Sequence, residues 1–134
     1  MTAMLEKLKR VAETVNSERP KLHFFALVHR VDAPDRWDLL VSADKLKPWS
    51  MDALKYVAAL LKTELTVDEI VRIAQVVVLP RDSKVIISLS EDRQVQPGEL
   101  TFLHPSDRFD QAYVIWPAAE VRQSLHGNSR HPAA

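Results

Sequence analysis

From Thr2 to Asn16, apolar residues return every three or four positions, with Leu5, Leu8, Ala12 and Val15 on one side and Glu and Lys between them. This spacing predicts an amphipathic helix, capped by Thr2 and stopped by Pro20. The pattern then changes. "KLHFFALVHRV" is aromatic and apolar without glycine or proline, which predicts a strand over Leu22 to Val31. Leu22, Phe24, Ala26 and Val28 share one face, and His23, Phe25, Leu27 and His29 share the other. Both faces are largely apolar, so the strand is expected to be central and covered on both sides. "DAPDR" supplies turn residues, and "WDLLVSA", Trp37 to Ala43, resumes as a strand that pairs back as an antiparallel hairpin.

Beyond the polar stretch "SADKLKPWS", Ser50 is the expected cap of a helix reaching Glu64. Met51, Leu54, Val57, Ala58, Leu61 and Leu65 line one side of it. "TVDE" is a capping box, Thr66 with Glu69, opening a short helix through Ile73. "QVVVLP" reads as a short buried strand ended by Pro80. "RDSKVIISLSED" has β-branched residues that favour a strand. Asp82 or Ser83 as a cap, followed by Val85, Ile86 and Leu89, also suits a short helix. The helix is preferred, because a crossover is needed if the flanking strands run parallel. "ELTFLH" and "QAYVIWP" are strands joined by the loop "PSDRFD", and "HGNSRHPAA" reads as disordered.

The order α-β-β-α-α-β-(α)-β-β implies an α+β, or mixed α/β, fold. The expected architecture is a mixed sheet of about five strands with two antiparallel hairpins and helices packed on it. One domain is expected over residues 1–117, with a frayed or disordered C-terminal tail over 118–134.

Composition removes several functions. The chain has 134 residues, 46% hydrophobic and 27% charged, as an ordinary globular domain does. Eighteen basic and eighteen acidic residues cancel, which argues against nucleic acid as a partner. No apolar run approaches the roughly 18 residues of a membrane span, and no signal peptide is visible, so a cytoplasmic protein without membrane contact is expected. The absence of cysteine excludes disulfides, thiolate nucleophiles and cysteine zinc sites. Gly98 and Gly127 are the only glycines. They cannot form G-x-G-x-x-G, G-x-x-x-x-G-K-[ST] or G-x-S-x-G, which argues against the common nucleotide folds and the serine-hydrolase elbow. No cofactor is expected.

The hairpin resembles a pattern in small bacterial proteins of unknown function, F-x-L-x-x-R-x-D-A-P-D-x-W-D-L-x-x-S-A. The matching residues are Phe25, Leu27, Arg30, Asp32, Ala33, Pro34, Asp35, Trp37, Asp38, Leu39, Ser42 and Ala43. The resemblance covers the hairpin well and the helical middle loosely, and it implies a family without an activity. "KVIISLSED" departs from it, since a clearer helix is expected there.

Two segments carry candidate chemistry. The first holds His29, Arg30, Asp32, Asp35, Arg36, Trp37 and Asp38. An arginine fork there suits a carboxylate or phosphate, and an Asp suits a base. The competing reading is a turn held by Asx bonds and an Arg–Asp pair, with Trp37 buried. The second is "HPSDRFDQAY", where His104, Ser106, Asp107 and Asp110 are catalytic residue types crowded into one loop; the competing reading is an ordinary turn. Both loops place Pro, Asp and Arg before an aromatic strand, so Asp35, Arg36, Asp107 and Arg108 would form one patch if the loops share an end of the sheet.

His23 and His29 share a strand face but stand about 20 Å apart, too far for one metal ion. His29 beside Asp32 would be an oriented base. Trp49, before the cap Ser50, is expected in the core or as a staple on the first helical turn. Trp116 ends the last strand, and "AYVIW" at a sheet edge would pair with a second copy.

The leading expectation is a non-enzymatic binding or assembly module with a protein partner or self-association, a homodimer through a sheet edge or an apolar helix face. The alternative is a small enzyme or anion-binding protein using Arg30, Asp35, Arg36, Asp38, His104, Asp107 and Arg108.

Overall fold

The computed structural model describes residues 2–32, 35–91, 100–102 and 109–116. Along the chain these are α1 (Thr2–Glu18), β1 (Leu22–Arg30), β2 (Trp37–Ala43), α2 (Met51–Glu64), α3 (Val67–Ile70), β3 (Ile73–Val78), α4 (Lys84–Glu91), β4 (Leu100–Phe102) and β5 (Phe109–Trp116). The fold is α+β, built on a mixed sheet in the order β3-β2-β1-β5-β4. The four longer strands carry the sheet, and three-residue β4 pairs on the outer side of β5. No described helix is long and apolar enough to cross a membrane.

β1 lies between β2 and β5 and is antiparallel to both. Its two apolar faces therefore feed two cores. Phe25 and Leu27 join Met4, Leu8, Val11 and Val15 of α1 and Val57 and Leu61 of α2. On the opposite face, Phe24, Ala26 and Val28 meet Ile86 and Leu89 of α4 and Ala112 and Val114 of β5. The expected alternation fails at one residue. The register shifts between Leu22 and Phe24, an irregularity that puts Leu22 in the core with Phe25 rather than with Phe24.

β2 and β3 pair in parallel, so α2 and α3 form the crossover between them. Local caps set the starts of these helices. Ser50 Oγ accepts from the Ala53 N–H at 3.1 Å. At α3 both bonds of the capping box form, Glu69 N–H to Thr66 Oγ1 and Thr66 N–H to Glu69 Oε1. α3 ends at Ile70, and Ile73 already begins β3, earlier than the sequence implies. Met51 is off the expected apolar side of α2, 63% exposed. β3 is an edge strand and only partly buried, rather than the short buried strand expected.

α4 is a helix, as preferred, but for a different reason. Its flanking strands β3 and β4 lie at opposite edges of the sheet, so it joins no parallel neighbours; it covers a face that would otherwise be bare. β5 lies between β1 and β4 rather than at the edge of the sheet, and β4 pairs with it at Gln111 to Tyr113. Trp116 donates its indole N–H to the Leu22 carbonyl at 3.0 Å. The expected tail, residues 118–134, lies outside the described residues.

Glu69 also binds Lys7 Nζ at 2.8 Å, tying α1 to α3. The lysine contact first, then the Thr66 amide, hold its carboxyl at about 2, below the ordinary 4.5. The folded value is depressed, so the contribution to stability is complete above about pH 4.5 and is lost as pH falls towards about 2. Denaturation midpoints across that window should fall more steeply for the natural protein than for Glu69→Gln. Parallel curves would contradict this role.

Candidate functional site

Asp38 stands directly across from Val28 on β1 and from Gln75 on β3. Arg30 closes β1 at the same end of the sheet. Arg30, Asp38 and Gln75 border a cavity of about 660 Å³ on the face carrying α4. Leu40, Val77, Leu79 and Val85 form its apolar wall, while Arg30, Asp32, Asp38 and Gln75 supply the polar groups. Val31 and Trp49 complete the lining.

Asp38 is the unusual member. It is 2% exposed, in a strand where every residue is buried. Gln75 Nε2 donates to its Oδ2 at 3.0 Å, and Arg30 Nε lies 4.0 Å from the same oxygen. Among the described residues, Oδ1 is buried without any hydrogen-bond partner. Leaving one such polar atom unsatisfied costs about 1–3 kcal/mol.

Arg30 pairs with Asp38 at that 4.0 Å distance but leaves Oδ1 unpartnered, because its fork is engaged by Asp32. Nε and Nη2 donate to the two carboxylate oxygens of Asp32, at 3.0 and 2.9 Å. One guanidinium therefore faces two carboxylates, leaving a formal charge of −1 on this group of three.

Trp49 is neither core nor staple, contrary to expectation. It is 69% exposed, with φ at 63°. A tryptophan in the left-handed region costs of order 1–3 kcal/mol, and such strain collects at functional sites. The Trp49 N–H bonds to the Val78 carbonyl at 3.2 Å, which fixes this residue against the end of β3.

Of the sequence candidates, Arg30, Asp32 and Asp38 meet at the cavity. Asp35 and Arg36 are exposed in the turn and do not line it. His104, Asp107 and Arg108 lie outside the described residues, as does their proposed patch with the hairpin turn. Gln75, Trp49 and the apolar wall were not signalled as a site. A polar residue inside "IAQVVV" is the one visible trace of Gln75.

His29 takes a different partner from the one expected. Asp32 is held by Arg30, and His29 Nδ1 lies 2.6 Å from Asp110 Oδ1, on β5. The imidazole packs edge-on to Trp37, with ring centres 4.9 Å apart, and Trp37 in turn meets Tyr113. This group belongs to the α1/α2 side of the sheet, away from the cavity. At the other end of β1, His23 pairs with Asp44 and, chiefly through that hydrogen bond, lowers its carboxyl pKa. Among the described residues there is no group of three or more His, Asp or Glu arranged to hold a metal ion.

No family model, curated protein or solved structure matches this chain.

Proposed function

We propose that this chain is a binding module that holds a small organic molecule in the cavity over Asp38. The observation that carries the reading is the buried, unpartnered Oδ1 at a cavity wall. In a fold whose whole stability is about 5–15 kcal/mol, such a group calls for an explanation, and binding supplies one. A bound donor would satisfy it. The volume falls within the range of about 300–1,000 Å³ typical of small-molecule sites, and a mostly apolar wall with a few converging polar groups is their usual make-up. Strained Trp49 at the same cavity supports the assignment.

The anion-binding alternative is weaker on this geometry. The Arg30 fork that would take an anion is filled by Asp32, and an incoming negative charge would face Asp38. The resemblance of the hairpin to small bacterial proteins is compatible with a shared binding role. Its conspicuous residues divide between the core, as Phe25 and Leu27 do, and the cavity, as Arg30, Asp32 and Asp38 do.

A thermal-shift screen of small fragments tests the reading. A ligand that binds only the folded state stabilises it by about 2.7 kcal/mol at a concentration of 100 times Kd. Fragments should raise the melting temperature of the natural protein and not that of Val77→Phe, whose larger side chain occupies the cavity. No stabilising fragment, or equal shifts in the two proteins, would refute it.

A further inference from the structure

We infer that the cavity selects an organic ammonium bearing at least one N–H, with an apolar or aromatic tail. This rests on the proposed binding function and specifies its ligand. The polar groups set the charge. Asp38 is buried, and its one hydrogen-bond donor is a neutral amide, Gln75 Nε2. The nearby guanidinium, 4.0 Å from Oδ2, is shared with Asp32, which takes its hydrogen bonds. A neutral donor would fill Oδ1, but only a cation would also balance the buried charge. Removed from water, a charge-assisted bond of this kind is about twice as strong as a neutral one.

The number of open acceptor sites narrows the class. Gln75 occupies Oδ2, and Oδ1 alone is unpartnered. A guanidinium or amidinium is matched to both oxygens of a carboxylate together, so it fits this arrangement poorly. A quaternary ammonium has no N–H to donate. An inorganic cation needs several oxygen ligands, and the described residues offer no cluster that could supply them. A single N–H donor carrying positive charge meets all these conditions.

The rest of the lining fits the remainder of such a molecule. Leu40, Val77 and Leu79 offer a hydrocarbon surface for the tail. Trp49 presents a largely exposed indole, whose face attracts cations and stacks on aromatic rings.

Isothermal titration of the full chain with matched probes tests the inference. The amines are hexylamine, 2-phenylethylamine and tryptamine; the controls are 2-phenylethanol, 3-phenylpropanoate and phenethyltrimethylammonium. At least one primary amine should bind about tenfold or more tightly than every control. Asp38→Asn, close in shape, should weaken the amine by about tenfold and change the alcohol little. Should that variant fail to fold, Trp49→Ala, at an exposed position, carries the test and should weaken the amine by about threefold or more. If the alcohol or the carboxylate binds as tightly as the amine, or if the amine is indifferent to these substitutions, the ammonium assignment is overturned while the binding module stands. If none of the probes binds and no fragment distinguishes the natural protein from Val77→Phe, both are overturned.

Discussion

Asp38→Leu is expected to raise the free energy of unfolding by about 1–3 kcal/mol, the opposite of what most substitutions of a buried residue do. In the natural protein a carboxylate is buried with one oxygen unpartnered. Leucine is similar in size and extends the wall already formed by Leu40 and Val77. The groups left behind are not stranded. Gln75 is exposed and can return its amide to water, and Arg30 keeps both bonds to Asp32. At this chain length the melting temperature should rise by roughly 4 °C for each kcal/mol. Chemical and thermal denaturation check this directly. A loss of stability on the same substitution would mean that Asp38 supports the fold, and its functional reading would lose its main argument.

Phe25→Ala should have the largest effect in the other direction, a loss of about 3–5 kcal/mol. Phe25 is fully buried on the central strand, opposite Val41 of β2 and Trp116 of β5. Its ring belongs to the core that α1 and α2 close, so truncation leaves a void between the sheet and these helices, which close-packed neighbours fill only in part. Such a loss removes much of the stability of a domain this size, commonly about 5–15 kcal/mol. The urea midpoint should fall accordingly, with cooperativity retained. A change below about 1 kcal/mol would contradict the placement of Phe25 at the centre of the core.

The local parts of the fold were readable in the sequence because short-range chemistry decides them. Ser50 and the Thr66–Glu69 box cap their helices in the structure as their spacing implies. The two apolar faces of "FFALV" translate into two cores, as strand alternation implies for such a run. What the alternation cannot contain is the shift at Leu22, where the register of a partner strand intervenes. Partner choice was also beyond reach. β5 pairs with β1 rather than forming an edge, and β3 lies parallel to β2, because burial of whole faces decides these arrangements. The role of α4 followed from the same global constraint.

The site was legible in halves. Arg30 and Asp38 stand out as charges bracketing an apolar hairpin, and both reach the cavity. Their neighbours in the turn, Asp35 and Arg36, share the chemistry yet face solvent. Composition cannot separate residues that serve a turn from residues that serve a pocket. Gln75 arrives from 37 residues away through the parallel crossover, so no local signal ties it to Asp38. Trp49 looked like a staple because sequence does not reveal the sign of φ. The partner of His29 is Asp110, 81 residues further on, and the nearer Asp32 was already claimed by the stronger Arg30 fork.

The most direct measurement is amide chemical-shift mapping of the protein during titration with the tightest-binding primary amine. The largest shifts are expected on Asp38, Leu40, Gln75, Val77 and the Trp49 indole, the groups that converge on the cavity. Shifts concentrated instead around His29, Trp37 and Tyr113 on the opposite face, or none at saturating amine, would contradict this placement.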